Sequence, residues 1–397
     1  MHQGQRLHSL DNLRAVMMWL GIVLHVAVIY MAGPRMLPWH DNQSTLAADL
    51  LVVVIHAFRM PVFFIVAGFF VGMQMQQRGA EAMLHNRLRR LALPFIAFWP
   101  PLFIASGLMI SLYVHLNQFG TIGFDTSLIP QIPGKAVIHT LHLWFIYYLM
   151  LFCLTAAAVD RLSQHLTDTL KTRITHIWKV LSSAWWGCIV LALPLAMTGA
   201  FYRGGVVAPG GSFIPDPAEF IHSGLFFVFG CYLYQNQSAV LVLYVRYRWR
   251  YMLAGFVLLF FYLALFKRFE PLQDSLLPLK AGMAFLYNCV SWLWCFGMIG
   301  LFLHYLPKQN RFLAYIAESS YWVYLVHLVV TIGVGALLYN SPLNAVGRIA
   351  VNIVLTSAVC LLSYQLLVRH TWLGRFLNGK ILFKKVNPAQ AGIITRD

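Results

Sequence analysis

The sequence predicts an all-α polytopic integral membrane protein of about ten transmembrane helices, with both termini cytoplasmic and a cavity between the helices. Three observations predict it. Of 397 residues, 59% are hydrophobic and 11% charged, and the mean hydropathy is +0.68; a water-soluble domain carries far more polar surface. Apolar runs long enough to cross a hydrocarbon layer ~30 Å thick recur along the whole chain, continuous rather than alternating, which favours helices over a β-barrel. Lysine and arginine collect in alternate connections between those runs, as an oriented bundle requires.

The runs fall at roughly 15–33, 47–74, 91–116, 139–159, 182–201, 219–237, 251–267, 281–305, 313–338 and 347–369. The first follows Asp11 and Arg14 and lacks a small-residue cleavage site, so it reads as a retained span. The second contains Arg59-Met60-Pro61, and the proline predicts a kink or a break into two pieces. The third follows the basic segment HNRLRRLALP at residues 85–94. The fourth opens on His142-Leu143-Trp144-Phe145. The segments near 117–138 and 202–218, the latter holding APGGSFIPDP, are rich in Gly and Pro and are expected to shape an outer cleft. The ninth carries ESSYWVYLVHLVV at residues 318–330, in which Ser320, Tyr324 and His327 recur at helical spacing.

With the N-terminus inside, the cytoplasmic segments hold Arg78, Arg87, Arg89 and Arg90, then Arg161, Lys171, Arg173 and Lys179, then Arg246, Arg248 and Arg250, then Lys308 and Arg311. The tail adds Arg375, Lys380, Lys384 and Lys385. The opposite connections carry Arg35, Lys135, Arg203, Lys267, Arg268, Lys280 and Arg348, along with most of the acids: Asp41, Asp125, Asp216, Glu219, Glu270 and Asp274. The net charge of +16 is therefore a topology signal rather than a sign of nucleic-acid binding. Residues 1–370 read as one transmembrane domain and 371–397 as a basic cytoplasmic tail. The six cysteines lie in apolar runs without metal-ligand spacing and read as reduced packing residues, and no metal constellation or permanently bound cofactor is expected.

Ionisable groups within spans are costly and mark cavities, partners or ligands. They are His25, His56, Arg59, His142 and His327, with Glu318 near the inner end of its span. Arginine keeps its proton and needs an anion or water. Asp11, three residues before Arg14, is placed to pair with it on one helix face. The chain's own carboxylates are too few for the rest, so an anionic ligand is the economical partner. Arg14 and His25 are eleven residues apart, close to three helical turns, and so share a stripe at two depths about 16 Å apart. A long ligand with a charged head and a thin reactive arm reaches both, and coenzyme A thioesters have that shape. Arg87 and Arg90 share a helix face, and their forked donors suit phosphate.

These segments together resemble the membrane-bound acyltransferase-3 family. Asp11, Arg14 and His25 stand as D-x-x-R-x10-H. HAFRMPVFFIVAGFF follows at 56–70, then Arg87 and Arg90 as R-x-x-R, and YLVH at 324–327. The chain is most similar to the family's glucan-succinylating branch, through HAFRMPVFF, HLWF and YLVH. The resemblance implies a multi-pass protein of the bacterial inner membrane, embedded in lipid. It implies transfer of an acyl group, succinyl above all, from cytosolic acyl-CoA to hydroxyls of periplasmic glucans. It carries the family's key histidine onto His25, its span-1 arginine onto Arg14 and its inner arginine pair onto Arg87 and Arg90.

On this reading His25 is the general base, since the unperturbed imidazole pKa of ~6.5 suits removal of a hydroxyl proton. Asp11 orients Arg14. Candidates for stabilising the oxyanion or lining the acceptor cavity are His56, Arg59, His142, Trp144, Ser320, Tyr324 and His327. Arg59 has a second possible role, pairing with the free carboxylate of a succinyl group. Direct transfer is simpler than an acyl-enzyme. Two other readings share these features: an O-acetyltransferase of another envelope glycan, and a secondary transporter using intramembrane histidines.

Overall fold

The computed structural model describes residues 3–33, 37–129, 138–269, 276–308 and 310–378. Arg35, Lys135, Glu270, Asp274, Lys380, Lys384 and Lys385 lie outside the described residues, as does most of the expected tail. Twelve α-helices are described: α1 (Gln3–Ile29), α2 (Leu46–Arg78), α3 (Ala80–Phe119), α4 (Trp144–Ser163), α5 (Asp168–Ser183), α6 (Gly187–Gly199), α7 (Pro217–Gln235), α8 (Gln237–Arg268), α9 (Leu277–Tyr305), α10 (Arg311–Leu338), α11 (Ala345–Ser363) and α12 (Trp372–Asn378). A π-turn, Tyr364–Val368, extends α11.

Among the described residues, eight helices are long and apolar enough to cross a membrane: α1 to α4 and α8 to α11. The number is nine if α5 and α6, joined at an angle of 103°, form one broken span. The expectation was ten. Of the two runs that fall short, 182–201 yields only the 13 residues of α6, about 20 Å of helix at 1.5 Å per residue. The other, 219–237, becomes α7, whose first turns carry Glu219, His222 and Ser223 and dilute its apolar character. α7 nonetheless packs into the heart of the bundle. The expected break at Pro61 does not occur: α2 runs unbroken through it, with Pro61 buried. Neighbouring helices sustain a proline-interrupted backbone in membrane bundles, and α3 likewise contains Pro94, Pro100 and Pro101.

Helix starts are set by local chemistry. Thr45 caps α2 through Ala47 N, Asn310 caps α10 through Leu313 N, and Asn344 caps α11 through Gly347 N, each satisfying a backbone donor left open at a helix start. The end of the bundle where α1 begins, which also holds Arg14, Arg87, Arg90 and Arg369, is termed the basic end below.

Packing depends on close backbone approach between α2 and α7. A methyl group added at Gly68 would collide with the carbonyl of Phe227, and one added at Gly230 with that of Ile65. Lipid supplies little hydrophobic drive for helix association, so such small-residue contacts carry much of it. Replacing Gly68 by valine should therefore separate the two helices and lower the thermal midpoint in detergent, at a cost of roughly 1–3 kcal/mol or more. An unchanged midpoint would refute the backbone-contact account. The six cysteines are free, five buried and Cys231 partly so.

At the opposite end, Asp41 and Arg348 form a fully buried ion pair. The sequence pattern assigned both to the outer connections between spans. Tyr113 and the Gln43 amide donate to Asp41 at 3.2 and 2.9 Å. Arg348 also donates to Asn42 Oδ1, Ser341 O and Leu343 O at 2.8, 2.7 and 3.0 Å. Burial pushes the Asp41 carboxyl above its ordinary value, and the Gln43 amide, Arg348 and Tyr113 act against that shift. The cluster ties the loop after α1 to the start of α11.

Candidate active site

The site begins with one stripe of α1. Arg14, Met18, Gly21 and His25 follow one another at helical intervals of four, three and four, so they face the same way. Arg14 pairs with Asp11 at 3.1 Å, both side chains partly exposed, as the sequence spacing predicts. Gly21 leaves room for Arg59 from α2: a Cβ there would stand 2.5 Å from Arg59 Nη1. The guanidinium of Arg59 therefore occupies the gap between the levels of Arg14 and His25.

Below Arg59 a cavity of about 560 Å³ opens between α1, α2, α3, α4, α10 and the α11–α12 segment. Its polar lining includes Asp11, Arg14, Gln74, Arg87, Arg90, Glu318, Ser320 and Arg369, and its apolar walls include Met18, Phe63, Val66, Phe145 and Leu149. Tyr324 also lines it. The cavity thus joins a cationic mouth to an apolar shaft. Arg87 and Arg90 from α3 and Arg14 from α1, far apart in sequence, share that mouth.

Beyond Tyr324 three histidines converge. The rings of His25 and His327 are 5.1 Å apart and those of His142 and His327 are 5.2 Å apart. A carbonyl only accepts, so hydrogen bonds fix two of the ring tautomers. His327 Nδ1–H donates to the carbonyls of Tyr324 and Val323 at 2.8 and 3.0 Å, leaving Nε2 with its lone pair. His142 Nε2–H donates to Leu325 O at 3.0 Å, leaving Nδ1 bare and buried. His142 precedes α4 in a 3₁₀ turn whose Leu141 has φ of 53°. Tyr324 holds that turn by donating its hydroxyl to His142 O at 2.7 Å. The Tyr324 proton is thus committed to the backbone. His25 has a ring contact with His327 but no hydrogen bond among the described residues, which leaves both its nitrogens open to a ligand.

Arg59 lies within electrostatic reach of His25, His327, His56 and Tyr324. Its Nε is buried without a hydrogen-bond partner, and its Nη2 reaches only the sulfur of Met60 at 3.4 Å. No carboxylate forms an ion pair with it among the described residues.

A second, smaller cavity of about 30 Å³ lies nearer the start of α2, lined by His56, Phe64, Trp144, Val207, His222, Tyr287 and Ser291 among others. His56 Nε2–H donates to Val207 O at 3.1 Å. His222 Nε2–H donates to Asn288 Oδ1 at 3.0 Å, while Asn288 Nδ2 donates to Ala284 O. The segment after α6 that was expected to shape an outer cleft supplies Val207 and Pro209 to this cavity.

The structure therefore gathers Asp11, Arg14, Arg87, Arg90, Ser320 and Tyr324 around one cavity. His25, Arg59, His142 and His327 lie beyond its Tyr324 wall, and His56 and Trp144 line the smaller cavity. The sequence reading missed Arg369, Tyr364, Gln74 and Tyr321 in the first and His222 with Asn288 in the second. His222 sits three residues after Glu219 in an apolar run and was legible as a polar group inside a span. Arg369 looked like any basic residue flanking a helix.

Residues 7–368 match the family described as "Acyltransferase domain". Glucans biosynthesis protein C of Escherichia coli O139:H28 (strain E24377A / ETEC) is 25% identical over 401 residues, covering 97% of each chain. The protein of the same description from Escherichia coli (strain K12) is 31% identical over 174 residues, so the matched stretch spans 43% of each. No solved structure matches.

Proposed function

The chain belongs to the acyltransferase-3 family, and from that premise we propose that it moves an acyl group, succinyl above all, from cytosolic acyl-CoA to a hydroxyl of a periplasmic glucan. The observation that carries this reading is an arginine-lined mouth and apolar shaft whose Tyr324 wall backs onto the histidines, with an arginine beside them that has no ion pair among the described residues. A thioester donor has the same sequence of parts: phosphates, a thin arm, then the reactive carbonyl. The glucan acceptor is supported by the relatives named Glucans biosynthesis protein C. On this reading the basic end faces the cytosol of a bacterial inner membrane.

In the proposed reaction, His25 takes the proton from an acceptor hydroxyl as its oxygen bonds to the thioester carbonyl carbon. The tetrahedral intermediate then expels the thiolate by breaking the C–S bond, and the imidazolium returns the proton to sulfur. Bond and charge balance closes without an oxidant, a metal or a covalent enzyme intermediate. His327, its Nδ1–H tied to the α10 backbone, keeps a fixed ring beside His25. Arg59 is the cation placed to hold the developing oxyanion or the distal carboxylate of a succinyl donor. The acceptor enters from the side of the smaller cavity, where Nδ1 of His56 and of His222 can accept hydrogen bonds from its hydroxyls and Trp144 and Tyr287 offer apolar faces.

Donor choice tests this reading. Purified protein should transfer succinyl from succinyl-CoA to glucan, read as added mass on the product. Arg59→Met should lose at least about tenfold more activity with succinyl-CoA than with acetyl-CoA if the guanidinium pairs a carboxylate, as one charge-assisted hydrogen bond in a dry site implies. Equal losses would assign Arg59 to the oxyanion. No transfer from any acyl-CoA would overturn the function.

A further inference from the structure

The π-turn at the end of α11 has no part in the chemistry above, yet it shapes the cationic mouth. A π-turn spends an extra residue on one turn and so carries the residues after it to a face that a straight α-helix would not present; such turns are frequent at functional sites. Here the turn spans Tyr364–Val368, and Arg369 follows it directly onto the cavity wall. Arg369 is held in a defined pose. Its guanidinium stacks 4.9 Å from the ring centroid of Tyr315, and Nη1 donates to Gln365 Oε1 at 3.1 Å. Its Nε is buried with no hydrogen-bond partner.

The surroundings are short of anions. The cavity is lined by four arginines, Arg14, Arg87, Arg90 and Arg369, against two carboxylates, Asp11 and Glu318. Of these six, only Arg14 and Asp11 form an ion pair among the described residues. The Nε of Arg87 is also buried without a partner, as is the hydroxyl of Tyr364 on the same wall. A native structure rarely leaves several buried polar atoms unpaired around one space, and a ligand that accepts hydrogen bonds resolves all of them. Guanidinium donors held by stacking match phosphate oxygens.

Resting on the acyl-CoA reading above, we propose that Arg369, positioned by the π-turn and by Tyr315, is a phosphate-binding residue of the donor site, completing from the far end of the chain the clamp that Arg87 begins. The ligand chemistry is a phosphate ester of a nucleotide-bearing thiol, and the 3′-phosphate and the pyrophosphate of coenzyme A are its two possible sources.

The test measures binding of coenzyme A, 3′-dephospho-coenzyme A and pantetheine to the detergent-solubilised full chain by calorimetry. Arg369→Gln should weaken coenzyme A at least about tenfold, the loss of a charge-assisted contact, and leave pantetheine binding unchanged. Arg369→Lys should restore part of the affinity. A loss that vanishes with the dephospho form assigns Arg369 to the 3′-phosphate, and one that persists assigns it to the pyrophosphate. Either pattern supports the proposal. Wild-type affinity in Arg369→Gln, or an equal loss for pantetheine, would overturn it, the latter showing a merely structural role. If the wild-type chain binds none of the three, the acyl-CoA reading falls first and this inference with it.

Discussion

Substituting His25 with alanine should lower turnover by about 10²–10⁴-fold, the range that a positioned general base contributes, with donor affinity unchanged. The expectation rests on position. Among the described residues His25 is the one member of the histidine trio with no hydrogen bond, whereas His142 and His327 each spend a nitrogen on the backbone. It also stands on the stripe of α1 that begins at the cavity mouth with Arg14. Single-turnover acyl transfer at matched protein level, paired with coenzyme A binding, separates chemistry from folding. Wild-type turnover in the variant would remove His25 from the mechanism. A parallel loss of donor binding would make it a structural residue.

The largest stability effect is expected far from this chemistry. Arg348→Met removes one partner of a buried ion pair and leaves the Asp41 carboxylate without its main counter-charge, at a cost of about 3–5 kcal/mol. Ser341 O, Leu343 O and Asn42 Oδ1 lose a donor as well. Asp41→Asn combined with Arg348→Met should cost less than the sum of the two single changes, because no charge is then stranded. Thermal midpoints of the four proteins in one detergent measure this. Additive losses would show that the two residues stabilise independently.

The bundle was largely legible because lipid makes a simple demand on sequence. Each span must be apolar for about 20 residues and satisfy its own backbone, so runs of hydrophobic residues locate helices directly. That rule failed where the demand is relaxed. α7 carries Glu219 and His222 and still enters the core, because Tyr148 and the Gly210 amide donate to Glu219 and Asn288 accepts from His222. α6 is too short and turns sharply into α5, a corner that hydropathy does not record. Pro61 leaves α2 intact because its surroundings are protein rather than water.

The site was legible in proportion to how local its signals are. Asp11 and Arg14 pair at i, i+3, and the alignment of Arg14 with His25 follows from helical pitch alone. The gathering of His25, His142 and His327 from α1, the turn before α4 and α10 has no sequence signal. Nor has the place Gly21 leaves for Arg59.

By itself, then, the sequence determined a polytopic helical bundle, the one-faced stripe from Arg14 to His25 and an excess of buried cations over anions. These follow from hydropathy, helical pitch and charge counting, each a property of residues near one another in the chain. Only the tertiary structure decided which cations share a space, which ring nitrogens stay bare and that Arg369 turns into the cationic mouth. Those outcomes depend on contacts between helices hundreds of residues apart, where packing, and not periodicity, chooses the neighbours.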